Sequence, residues 1–240
     1  MIELLGVGVP RRDGGWLLHR VCATLEAGEL TAIVSEDPDE RRALLDTIAG
    51  RRVPDEGRVW VSRVPLMRAS ASRIRALCGD VDPLAALVER RSLFWNALAP
   101  ASGPRTLGRL LRLPRRAERQ AALAALDRVG LRARADEPVA SLSTFDRARF
   151  LVARALARRP RYLLVREPDA LVGRDGVGGL LVLLRRIARD DRLGVVVSLA
   201  TGEAFADRVV VLREGLLLFH GRAEALGDEH GARRRGALTT

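Results

Sequence analysis

Apolar residues fall in short runs that alternate with turn residues and with segments of helical period. Ile2 to Val9 and Leu17 to Leu25 read as strands, and Leu30 to Val34 (LTAIV) reads as a buried strand entered through the turn Ala27-Gly28-Glu29. From about Asp39 the period changes to that of a helix, with Leu44, Leu45 and Ile48 on one face and Gly50 closing it. Arg58 to Val61 (RVWV) predicts a further strand. Between about Pro83 and Arg159 the chain is helical and punctuated by prolines, with Arg115 to Gly130 (RRAERQAALAALDRVG) as its clearest amphipathic helix. Strand-like runs return at Tyr162 to Val165, Gly194 to Leu199 and Arg208 to Leu212. Strands at both ends of a helical stretch predict an α/β fold in a single domain over residues 1–227. Its core would comprise about 1–82 and 160–227, with a helical subdomain inserted at about 83–159 and a basic, frayed tail at 228–240. There is no internal repeat and no low-complexity linker.

Composition narrows the function classes. At 240 residues and 48% hydrophobic, the chain is long enough for a sizeable core. The net charge of +11 raises the question of nucleic acid, but the arginines are scattered and no RNP, zinc-finger or basic-aromatic pattern accompanies them, so no nucleic-acid partner is expected. Cys22 and Cys78 have no C-x-x-C spacing and His19, His220 and His230 no metal-ligand spacing, which predicts a reducing compartment and no metal site. No apolar run approaches the roughly 20 residues that span a bilayer, and the N-terminus lacks the apolar region of a signal peptide. The expectation is a cytoplasmic protein that meets the inner face of a membrane only through a partner.

Three segments together carry a family resemblance. GELTAIV...LLDTIAGRRVPDEGRVWV is similar to the phosphate-loop region of ATP-binding-cassette (ABC) ATPases. SLSTFDRARFLVARALARRPRYLLVREP resembles their signature helix and Walker B strand, and ADRVVVLREGLLLFHGRAEAL resembles their C-terminal strand pair. ALVERRSLFWNAL and LGRLLRLPRRAERQAALAALDRVGL are most like the corresponding stretch of phosphonate-importer ATPases. The resemblance implies a P-loop NTPase-like core sheet flanked by helices, with ATP and Mg²⁺ as cofactors and hydrolysis coupled to transport. It also implies a transmembrane permease subunit and a second, competent ATPase subunit as partners.

The residues at the family's chemical positions depart from its pattern. All 41 Lys+Arg residues are arginine, so no G-x-x-x-x-G-K-[ST] loop exists anywhere in the chain. Ser35 to Ala43 (SEDPDERRA) stands in its place: the glycines are gone, Pro38 lacks an amide donor, Arg41 falls on the lysine position, Arg42 follows it, and Ala43 lacks a hydroxyl. Glu36, Asp37, Asp39 and Glu40 would face a polyanion, and arginine is a planar fork where a compact ammonium fits. In LLVREP the Mg²⁺-binding aspartate becomes Arg166, while Glu167 keeps the catalytic glutamate position as a relic. The signature reads Leu142-Ser143-Thr144-Phe145-Asp146, in which Ser143 fits a helix cap; the Q-loop glutamine falls near Pro83, the D-loop aspartate at Gly173 and the switch histidine at Ala200. Ser35, Arg41, Arg42 and Ser143 are therefore candidate but degenerate nucleotide-site positions. Phe94 and Trp95 are either core or a surface that receives a membrane partner. These departures predict a subunit that takes no cofactor in the ordinary way and serves as a docking or heterodimer partner. The alternatives are a regulatory adaptor on the same scaffold and a divergent but active transport ATPase.

Overall fold

The computed structural model describes residues 1–98, 114–201 and 205–226. The expected tail at 228–240, with His230, lies outside them. The elements are β1 (Ile2–Pro10), β2 (Trp16–Leu25), β3 (Leu30–Val34), α1 (Pro38–Ile48), β4 (Glu56–Val61), β5 (Val64–Pro65), α2 (Ala71–Leu77) and β6 (Cys78–Val81). They continue with α3 (Leu93–Leu98), α4 (Arg116–Arg128), α5 (Thr144–Leu156), β7 (Tyr162–Val165), α6 (Pro168–Val172), α7 (Val177–Asp191), β8 (Gly194–Leu199), β9 (Arg208–Arg213) and β10 (Leu216–Arg222). An antiparallel sheet has the order β2-β1-β4-β5 and a six-stranded sheet the order β10-β9-β3-β8-β7-β6. In the larger sheet β9, β3, β8, β7 and β6 are parallel and β10 is an antiparallel edge.

The inner parallel strands are buried on both faces, which is why LTAIV, YLLV and GVVVSL read as continuous apolar runs. Their alternation divides the interior in two. Leu163, Val165, Val195 and Val197 join a core with Phe150 and Leu151 of α5 and Leu180 and Leu184 of α7. Ile33, Tyr162, Leu164 and Val196 face the other way, onto Leu44, Leu45 and Ile48 of α1 and the apolar face of the antiparallel sheet. The expected α1 face is thus the buried one. α3, α4 and α5 pack on one another, and residues 93–98 and 116–156 contribute no strand among the described residues.

β5, α2 and β6 escape a periodicity reading. CGDV has no apolar alternation because Asp80 sits in the strand and Gly79 packs under another segment. A β-carbon on Gly79 would stand 2.9 Å from Pro160. α1 also begins a residue earlier than expected. Pro38 occupies its first turn and Asp37 caps it, a favourable pairing at a helix start, so Pro38 belongs to the helix and not to an open loop.

Candidate nucleotide site

β3 delivers the chain from the middle of the sheet to Ser35, and only Glu36 and Asp37 separate Ser35 from α1. The short link leaves the helix N-terminus to be satisfied by the chain itself. The Asp37 carboxylate accepts the Asp39 amide at 2.8 Å and is paired with Arg11 of the β1–β2 turn. Burial works against the Asp37 carboxylate, but the hydrogen bonds from Arg11 and the Asp39 amide outweigh it and hold its pKa below the usual value. Ser35 donates its hydroxyl to Glu40 at 2.7 Å and accepts the Asp37 amide at 3.1 Å. Arg41 turns back and donates to the Ser35 carbonyl.

Glu40 corrects a sequence expectation. It does not face an incoming polyanion with the other three acids: it is 1% exposed, and its second oxygen accepts the Gly215 amide at 2.6 Å. Gly215 lies in the β9–β10 turn at φ 78, where a β-carbon would stand 2.8 Å from the Trp16 carbonyl, so only glycine lets this turn reach α1. A helix N-terminus attracts anions. Here Asp37, Asp39 and Glu40 supply the negative charge from within.

The second half of the site is the end of β7. Arg166 follows Val165 and is fixed by its amide, which donates to the Val81 carbonyl at 2.9 Å. Its guanidinium donates to Asp46 of α1 at 2.7 Å and to Asp80 of β6 at 3.2 Å. Arg51, just beyond α1, reaches the same two carboxylates, at 2.8 Å to Asp46 and 2.9 Å to Asp80. Burial pushes the Asp80 carboxyl up to about 6 against the pull of Arg51, with Asp82 and Asp46 adding repulsion. The neighbouring Cys78 thiol is pushed by burial to about 12. Sequence reasoning picked out Arg166 but none of Asp46, Asp80 and Arg51.

β8 brings the two halves together. Leu199 accepts the Ser35 amide at 3.2 Å, and the adjacent Ser198 hydroxyl accepts the Glu167 amide at 3.1 Å. Glu167 has an exposed side chain and a left-handed backbone (φ 43, ψ 63) that breaks the strand into α6. Arg42 is exposed on α1. Ser143 is the N-cap of α5, accepting the Asp146 amide at 3.1 Å, as the capping pattern predicts. Asp146 is in turn paired with Arg134 and Arg149. Phe145, at a signature glycine position, lies against Gly179 of α7, where a β-carbon would stand 3.5 Å from its ring. No group of His, Cys, Asp and Glu among the described residues is arranged to hold a metal ion.

On α3, Leu93 is fully buried and Phe94 packs partly buried against the core, with Arg119 over its ring at 5.8 Å. Trp95 is half-buried outside that core, under Arg91 at 5.3 Å. Asn96 fixes the preceding loop through bonds from its amide to the carbonyls of Val88, Arg91 and Ser92. The loop leaves Leu84 88% and Val88 48% exposed.

A phosphate-loop position, a Walker B position and a signature helix thus occur in one α/β fold, and the family model described as ABC transporter matches residues 18–170. The chain belongs to the ABC transporter family. It is 31% identical over 235 residues to the phosphonates import ATP-binding protein PhnC 2 of Cupriavidus metallidurans, covering 95% of this chain and 84% of that protein. Against PhnC 1 of Natronomonas pharaonis it is 35% identical, covering 88% and 90%. Among solved structures it is similar to cbiO1 of Clostridium perfringens, part of the ABC transporter complex cbiONQ, with a TM-score of 0.81, 22% identity and coverage of 99% and 94%. The dimeric ABC transporter cassette MJ0796 gives 0.72 at 23% identity, covering 93% and 99%. Both likenesses establish the ABC ATPase fold. No helix among the described residues is long and apolar enough to cross a membrane.

Proposed function

We propose that this ABC transporter subunit, resembling phosphonate-import ATPases, has lost ordinary ATP binding and hydrolysis and serves its transporter as a docking or heterodimer partner. Its core would be residues 1–82 and 160–227, its helical insertion 83–159, and its place the cytoplasmic face of a membrane, held there by a transmembrane permease. The observation that carries the reading is the position of Arg166. A guanidinium stands where the family's resemblance calls for a magnesium-binding carboxylate, and it is already paired with Asp46 and Asp80. Mg²⁺ does not fit beside a cation that already holds Asp46 and Asp80. Nucleotide phosphates do not fit a helix N-terminus whose cap is Asp37, whose first turn carries Asp39, and whose Arg41 is bonded to the loop carbonyl.

Glu167 favours a second reading, a divergent but active ATPase, because it keeps the catalytic position and its carboxylate is exposed. Turnover by the purified chain and by Glu167→Gln decides between the two. Equal, background rates are expected. Activity in the parent that disappears in Glu167→Gln would establish Glu167 as a working base and overturn the proposal.

A further inference from the structure

Asp46 on α1 and Asp80 on β6 are brought face to face by the fold, and each directs one oxygen at two guanidiniums. Asp46 Oδ1 accepts from Arg166 at 2.7 Å and from Arg51 at 2.8 Å. Asp80 Oδ1 accepts from Arg166 at 3.2 Å and from Arg51 at 3.3 Å, while Arg51 also holds the other Asp80 oxygen at 2.9 Å. The four formal charges cancel, and the ring closes three elements on one another: the C-terminal half of α1, strand β6 and the tip of β7. Arg166 is its most enclosed member, with 12% side-chain exposure against 34% for Arg51.

Carboxylates from separate elements that converge on positive charge are what a divalent cation takes as ligands, and here that charge is supplied by Arg166 together with Arg51. It is covalently part of the chain. We propose that Arg166 is a built-in cation, a side chain that does for Asp46 and Asp80 what a bound divalent ion would do and that shuts the site to metal. The inference rests on the functional reading above and gives the loss of metal a specific residue. Arg51 alone would leave the inner carboxylates under-neutralised. A guanidinium suits the position because its planar fork donates to both acids at once, which a single ammonium does poorly.

The test uses the full chain, with Mn²⁺ as the probe and nucleotide absent. The parent protein should melt at the same temperature in chelator and in millimolar Mn²⁺. Arg166→Asp, which exchanges the built-in cation for a third carboxylate, should melt lower in chelator and recover with Mn²⁺. At a hundredfold excess over the dissociation constant the rise should be about 5 to 10 °C for a chain of this size. Arg166→Asn offers an uncharged oxygen and should show a smaller rise. Arg166→Lys keeps the charge and should stay as indifferent to Mn²⁺ as the parent. If neither Asp nor Asn folds while Lys does, a positive charge between Asp46 and Asp80 is required, as proposed. A Mn²⁺ response in the parent, or folded Asp and Asn variants with none, overturns the inference. ATP binding by the parent overturns the functional reading instead, so the two failures are told apart.

Discussion

Glu40 shows how far a single residue can depart from its reading in sequence. In SEDPDE it is one acid among four, and nothing local says that it is buried. Its partner Gly215 is 175 residues away, so only the assembled sheet reveals the contact. A buried carboxylate that satisfies a hydroxyl and a backbone amide is costly to remove, because both donors lose their acceptor. Glu40→Ala should destabilise the chain by about 2 to 3 kcal/mol, a fall in melting temperature of about 4 to 12 °C. Glu40→Gln retains one acceptor oxygen and should cost less. Chemical denaturation of the two variants checks the order; an alanine variant as stable as its parent would mean that the β9–β10 turn does not depend on Glu40. Ser143 is the opposite case. The S-x-x-D spacing is local, the cap it predicts is the cap observed, and no distant residue is needed to read it.

At the scale of elements, the parallel strands and the α1 face were legible because burial on both faces writes uninterrupted apolar runs and a 3.6-residue period writes a stripe. β6 was not, because a strand that carries Asp80 for an ion pair and Gly79 for a close approach has neither signal. The paired acids of several elements, Asp80 of β6 among them, nonetheless make a prediction about pH. Asp37, Asp146 and Asp207 each feel burial first, but paired arginines and backbone amides overcome it and lower their pKa values. Their contribution is therefore present above their ordinary value of 3.8 and is lost as the pH falls through the lowered values. Asp80 has the opposite sign. With a folded pKa of about 6 against 3.8, its contribution is full below the ordinary value and is lost as the pH rises through about 6. Thermal melts should hold level or rise slightly from pH 7 to pH 5 and fall steeply below about pH 4. In Asp80→Asn the change between pH 7 and pH 5 should vanish while the acid limb remains. A parent protein that loses stability steadily from pH 7 downward would contradict the environment assigned to Asp80.

On the scale of the whole molecule, two intact cores surround a site whose charged groups are paired with one another. The fold was legible because its buried strands and helix faces are written in the sequence as apolar runs and stripes. The site was legible only as a set of departures, since Arg166 could be seen to replace an aspartate but its partners Asp46 and Asp80 come from two separate stretches of chain. The same framework presents the α3 surface. Phe94 leans on the core, whereas Trp95 is half-buried outside it, and the preceding loop exposes Leu84 and Val88. Trp95→Ala should lower the melting temperature by no more than about 4 °C, since a half-buried side chain outside the core costs about 1 kcal/mol. If the proposed permease contact uses this face, the same change should lower membrane co-sedimentation about 30-fold in affinity, the effect of losing an interface anchor of about 2 kcal/mol. Unchanged sedimentation would remove the face from the proposal.

The central claim, that this subunit takes no nucleotide in the family's manner, is tested most directly by calorimetric titration of the purified chain with ATP in the presence of Mg²⁺. The closed α1 N-terminus and the paired Arg166 predict no saturable heat in the micromolar range. A one-to-one isotherm with a low-micromolar dissociation constant would contradict the account.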